Sequence, residues 1–241
     1  MSLHNKSSKF KNLLGTVCAK NQFYTNLNSV QTKNGNDSTI LSANEEFFAV
    51  PWGSNSIYVG NRKTTNHKIS LDPFLVNGHK LGITDSHFSP FISNVLATSS
   101  IDATIKLWKL PFDDLKENID KEICNLQHEK KINLFKFHPT VSDILVSSSF
   151  DFQLRLWDVN HSEEPIQIIG NHDDLIQSIS WNNDGSAFVS SCRDKFARII
   201  DPRATNIMMV KFKKKKKFFK FFSDRKDKYM IVIKDLEHVG I

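Results

Sequence analysis

The chain has 241 residues, 39% apolar and 24% charged, with a formal net charge of +6. This composition supports a packed core in one large domain or two small ones. No apolar run reaches membrane-spanning length and the start, "MSLHNKSSKFKNLLG", lacks a signal-peptide core, so a cytoplasmic protein is expected. The positive charge is local: residues 211–228 hold nine Lys, one Arg and two Asp, a sum of +8 that leaves −2 for the rest. The body of the chain therefore gives no charge argument for nucleic-acid binding.

In chain order, the N-terminal segment carries Lys6, Lys9 and Lys11 around Phe10, a basic cluster with an aromatic anchor suited to an acidic surface. Three units follow, each opening on a histidine. The first runs from His79 to Trp108, the second from His128 to Trp157 and the third from His172 to Ile200. His79 and His128 are 49 residues apart, His128 and His172 are 44 apart, and the surplus of the first interval lies in the polar stretch "LPFDDLKENIDKEICN" (110–125). Periods near 40–45 residues mark propeller blades of about four strands each.

Inside each unit short hydroxyl-rich runs ("NVLATSS", "DILVSSS", "SAFVSSC") precede alternating ones ("TIKLW", "QLRLW", "FARII"). An acid, Asp102, Asp151 or Asp194, sits in the tight turn between them, where its carboxylate can bond nearby backbone N–H groups. Trp108 and Trp157 each follow their acid by six residues, while Ile200 takes that place in the third unit.

These residues resemble WD repeats. The resemblance implies a buried hydrogen-bonded chain of His, Ser/Thr, Asp and Trp within each blade, the indole N–H being a donor on a large apolar body. Carried over, His79, Ser99 or Ser100, Asp102 and Trp108 form one set, and His128, Ser148 or Ser149, Asp151 and Trp157 form the next. His172 and Asp194 form an incomplete third. A hydrolase triad would occur once, not once per repeat, and metal ligands would have to converge, which histidines on successive blades cannot easily do. With no Gly-rich phosphate loop and no nucleophile elbow, the chain reads as a non-enzyme without cofactor or metal. Cys18, Cys124 and Cys192 are far apart and odd in number, and read as reduced, buried thiols.

More specific text points to one family. "SSKFKNLLG" (7–15), "FHPTVSDILVSSSFD" (137–151) and "SISWNNDGSAFVSSCRDKFARIIDPRA" (178–204), with its Ile-Asp-Pro-Arg in place of the Trp, resemble coronins, actin-binding WD-repeat proteins. The resemblance covers roughly residues 7–204. It implies an all-β, WD-repeat β-propeller with about four blades of a seven-bladed design over 1–204. It also implies filamentous-actin binding within the cytoplasmic actin cytoskeleton, with actin-nucleating or severing regulators as further partners. On this reading Lys6, Lys9, Phe10 and Lys11 contact actin. Asn28 stands where the family commonly carries a basic residue, which implies a weaker contact or one carried by Lys33. Residues 205–241 show no further Asp-to-Trp spacing, and the family's closing blades and coiled coil are missing. The chain is therefore expected to be a partial propeller with a Lys/Phe-rich tail that is disordered or a gene-model artefact. The alternatives are a generic WD scaffold, or an adaptor whose basic residues 211–222 bind anionic lipid or nucleic acid.

Overall fold

Runs of five or six alternating or β-branched residues, separated by turns rich in Asn, Asp, Gly and Pro, leave the chain little choice but short antiparallel strands. The computed structural model describes residues 24–25, 41–63, 69–170, 172–204, 207–211, 218–223 and 229–234. The first sheet contains β1 (Ser42–Ala43), β2 (Phe47–Trp52) and β3 (Ser56–Asn61). The second contains β4 (Ile83–Phe88), β5 (Val95–Ser100), β6 (Thr104–Lys109) and β7 (Cys124–Gln127). The third contains β8 (Ile132–Phe137), β9 (Ile144–Ser149), β10 (Leu154–Asp158) and β11 (Gln167–Ile169). The fourth contains β12 (Ile176–Trp181), β13 (Phe188–Cys192), β14 (Phe196–Ile200) and β15 (Ile207–Lys211), and a hairpin of β16 (Phe218–Ser223) and β17 (Tyr229–Lys234) follows. Each sheet is an antiparallel meander in chain order. The first strands β1, β4, β8, β12 and β16 lie side by side, the arrangement of successive propeller blades.

The core sits between sheets. Phe47, Ile57, Leu96 and Trp108 pack the first sheet on the second, and Val95, Ile105, Leu126, Phe135 and Trp157 pack the second on the third. Val146, Leu156, Trp181, Phe188 and Ile200 fill the third interface. Trp108 and Trp157 thus each face the preceding sheet, and Ile200 takes that place in the fourth. Strands β5, β9 and β13 are covered on both faces, so their Ser and Thr hydroxyls are buried, and all but that of Ser191 bond a described neighbour. Gly78 is required where it stands: its φ is +140°, and a Cβ there would come within 2.7 Å of the Trp108 ring.

Two features depart from the sequence reading. The polar insertion is used as structure: Ile119 forms a parallel bridge to Val76, itself bridged to Ile57, so the insertion covers the outer edge of the first sheet. Asn118 also accepts from the Leu75 N–H at 2.9 Å. The boundary at 204 falls inside the fourth sheet, because β15 pairs with β14 from Ile207 opposite Ile200 to Lys211 opposite Phe196. The segment read as a tail also supplies β16 and β17. Cys124 and Cys192 are free buried thiols, as the sequence suggests, and Cys18 lies outside the described residues.

Candidate functional site

Each of the second, third and fourth sheets repeats one tight turn, in which Asp accepts the backbone N–H two residues on. The distances are 3.1 Å for Asp102 and Thr104, 3.0 Å for Asp151 and Gln153, and 2.8 Å for Asp194 and Phe196. The residue between has a left-handed backbone in every copy: Ala103 at φ 67°, Phe152 at 66° and Lys195 at 73°. The turn fixes the carboxylate beneath the histidine that opens the repeat.

In the second sheet the buried chain is continuous. The Trp108 indole N–H donates to Thr98 Oγ1 at 2.8 Å, and Thr98 Oγ1 lies 2.7 Å from His79 Nε2. His79 Nδ1 lies 3.0 Å from Asp102 Oδ2, and Thr104 donates to the other carboxylate oxygen at 2.6 Å. An ionised carboxylate only accepts, so His79 carries its proton on Nδ1 and Nε2 accepts from Thr98. Burial pushes the Asp102 carboxyl up, but the hydrogen bonds from His79, Thr104 and the Lys80 backbone outweigh it and hold it well below the usual range.

In the third sheet an arginine is inserted. Trp157 donates to Ser147 Oγ at 2.9 Å, and Ser147 Oγ lies 2.9 Å from His128 Nε2. His128 Nδ1, however, faces Arg155 Nη1 at 2.7 Å, and Arg155 Nη2 forms an ion pair with Asp151 at 3.0 Å. A guanidinium only donates, so His128 Nδ1 accepts and Nε2 carries the proton. Burial first, and the Arg155 charge second, lower the His128 pKa to about 3.

The fourth sheet keeps His172 at 2.8 Å from Ser190 and the Arg198–Asp194 pair at 2.7 Å. With Ile200 in place of Trp there is no indole donor, and His172 Nδ1 and Arg198 Nε and Nη1 are buried without a hydrogen-bond partner among the described residues. Burial, then Arg198, lower the His172 pKa to about 4 against the opposing pull of Asp194.

The structure brings His79 and His128 to a strand hydroxyl shared with the tryptophan, but only His79 bonds its acid directly, and the hydroxyls are not those expected. The links are Thr98 and Ser147, not Ser99 or Ser100 and not Ser148 or Ser149. The reason is the pleat and the register: Trp108 pairs with Leu96 and Trp157 with Leu145, so Thr98 and Ser147, two residues on, share the indole's face, Ser99 and Ser148 point to the other face, and Ser100 and Ser149 lie two residues further along. Ser99 points the other way, 2.8 Å from Thr84, while Ser100 and Ser149 bond carbonyls of the preceding loops. Also unread were Arg155 and Arg198, whose signal was a basic residue four after the acid. The shared hydroxyl four before each acid was equally visible.

Thr98, Ser147 and Ser190 are at most 1% exposed, so no external substrate reaches these hydroxyls. No cluster of three or more His, Cys, Asp or Glu able to hold a metal occurs among the described residues, and no helix there is long and apolar enough to cross a membrane. Lys6, Lys9, Phe10, Lys11, Asn28 and Lys33 lie outside the described residues. Of residues 211–222, Lys211 and 218–222 are described only as backbone in strands.

Comparison with known proteins gives two matching family descriptions. A domain of unknown function, DUF1899, matches residues 4–61, and the WD domain, G-beta repeat, matches 73–109, 122–158 and 163–201. Coronin-A of Dictyostelium discoideum is 37% identical over 211 residues, covering 86% of this chain and 46% of that protein. Coronin-2B of Homo sapiens is 36% identical over 206 residues, covering 84% and 42%. The chain thus spans less than half the length of these relatives. A crystal structure of the WD40 domain from Toxoplasma gondii coronin superposes with a TM-score of 0.70 at 27% identity, covering 78% of this chain and 49% of that one.

Proposed function

From the premise that this chain is a coronin homologue built of WD repeats, we propose that it is a non-catalytic actin-filament-binding protein acting in organisation of the cytoplasmic actin cytoskeleton. The similarity to Coronin-A and Coronin-2B across most of the chain carries this reading. The buried histidine networks supply a rigid frame, and the basic cluster of Lys6, Lys9 and Lys11 around Phe10 supplies the contact to an acidic filament. Actin-nucleating or severing regulators fit the same setting as further partners. Co-sedimentation with actin filaments at moderate salt tests the proposal. Wild type is expected to pellet, and Lys9→Glu/Lys11→Glu to bind about tenfold more weakly. If the folded wild type and the variant both stay in the supernatant, the proposal fails.

A second reading rests on the +8 charge of residues 211–228, which suits anionic lipid or nucleic acid. Because β15 and β16 flank the run, replacement of lysines 213–217 by Gln is preferable to truncation. Vesicle or RNA binding that falls steeply with salt and disappears in the Gln variant is expected. Binding unchanged by that substitution retires this reading.

A further inference from the structure

The two ends of the sheets differ in charge. The connections after β6 and β10 carry exposed Asp113, Asp114, Glu117, Glu163 and Glu164 at one end. The Asp turns and the histidine loops lie at the other, where Lys80, Lys130 and Lys131 are exposed. Hydrogen bonds show that this second end is one continuous surface. Lys80 N–H donates to Asp102 at 2.9 Å, and His128 N–H donates to the Ala103 carbonyl at 2.8 Å. Phe150 N–H donates to the Lys131 carbonyl at 3.0 Å. The fourth sheet adds exposed Arg193 and Lys195 at its equivalent turn. The carboxylates of Asp151 and Asp194 do not offset these cations, because Arg155 and Arg198 neutralise them, while Asp102 keeps one negative charge, turned inward to a neutral His79.

Aromatic groups are set among the cations. Lys131 Nζ lies 3.7 Å from the Phe150 ring centre, a cation–π contact that holds the ammonium at the surface. Phe152 is 37% exposed and sits in the left-handed region at φ 66°, a conformation a bulky residue adopts only at a cost in free energy. Leu81, next to Lys80 in the loop before β4, is 51% exposed.

We propose that this end of the sheets, centred on Lys80, Lys130, Lys131 and Phe152, docks an acidic protein segment in which Asp and Glu alternate with apolar residues. Charge complementarity selects the acids, and Phe152 and Leu81 receive the apolar positions. The exposed acids Glu129 and Asp173 at the same end oppose a uniformly anionic membrane or phosphate backbone, whereas a polypeptide can place its own cations against them.

The test uses the full chain and a fluorescein-labelled peptide of four Glu-Asp-Leu repeats, read by fluorescence anisotropy. Saturable binding is expected, weakened at least about tenfold by Lys130→Glu/Lys131→Glu and changed by less than about twofold by Asp113→Asn/Asp114→Asn at the opposite end. Phe152→Gly removes both the ring and the left-handed strain, so it is expected to weaken binding while raising the melting temperature. A merely structural Phe152 would not separate those two readouts. Lys9→Glu/Lys11→Glu is expected to leave peptide binding intact. The proposal is overturned by absence of saturable binding in wild type, or by wild-type affinity in Lys130→Glu/Lys131→Glu. It is equally overturned if phosphatidylserine vesicles or oligouridylate bind more tightly than the peptide and lose binding in that variant.

Discussion

The second and third sheets carry the same His, hydroxyl, Asp and Trp positions, yet their protons run differently. In the second, each donor passes to the next group, from Trp108 through Thr98 and His79 to Asp102. In the third, Trp157 and His128 both donate to Ser147, while Arg155 stands between His128 and Asp151. One basic residue decides the matter. At the equivalent position in the second sheet Lys106 turns away to Glu122 at 3.0 Å and leaves His79 to its acid. Identical-looking repeats therefore hold their histidines in opposite tautomers, one as an acid's partner and the other as an arginine's.

The largest difference should appear when the acids are removed. Asp151→Ala strands the Arg155 guanidinium, whose side chain is 6% exposed, and is expected to cost about 3–5 kcal/mol. Asp102→Asn leaves a neutral His79 and forfeits a charge-assisted hydrogen bond, about 1.5–3 kcal/mol. Urea unfolding midpoints order the two, and equal losses would break the distinction. Acid separates the sheets next. The folded-state pKa values of His128, about 3, and His172, about 4, lie below the ordinary 6.5, so the unfolded chain binds more protons below pH 6.5. Their stabilisation is full above that pH and falls by about 1.4 kcal/mol per unit for each histidine as pH drops toward those values. The lowered Asp102 pKa acts later, its contribution being lost only as pH falls below the ordinary carboxylate value of 3.8. His128→Gln should flatten the stability profile between pH 6.5 and 4.

Trp108→Phe and Trp157→Phe each remove one indole donor, and each is expected to cost about 1–2 kcal/mol in thermal unfolding. Here the sheets should differ little, because Ser147 keeps His128 as a donor and Thr98 keeps His79 as an acceptor. The smallest effect is at the turns, where Ala103→Gly relieves a left-handed backbone at φ 67° and is expected to stabilise by roughly 0.5–1 kcal/mol.

The repeat was legible because its signals are local and rigidly spaced: the histidine, the acid in its turn, and Trp six residues later. Which hydroxyl joins them was not, since Thr98, Ser99 and Ser100 are chemically alike and only the pleat and the strand register separate them. Arg155 looked like any polar residue alternating along a strand, because its ion pair depends on a carboxylate brought back by the turn. The insertion at 110–125 read as polar filler, although Asn118 and Ile119 bind the edge of a sheet far away in sequence. The grouping of Lys80, Lys131 and Phe152 was invisible because they lie in separate loops that reach one end of the sheets only in the folded chain.

The most direct measurement is the ¹⁵N chemical shift of the imidazole nitrogens of His79 and His128 at neutral pH, assigned with His79→Gln and His128→Gln. The expected result is opposite neutral tautomers, with the proton on Nδ1 of His79 and on Nε2 of His128. The same tautomer in both would contradict the insertion of Arg155 between His128 and Asp151, and with it the distinction between the two sheets.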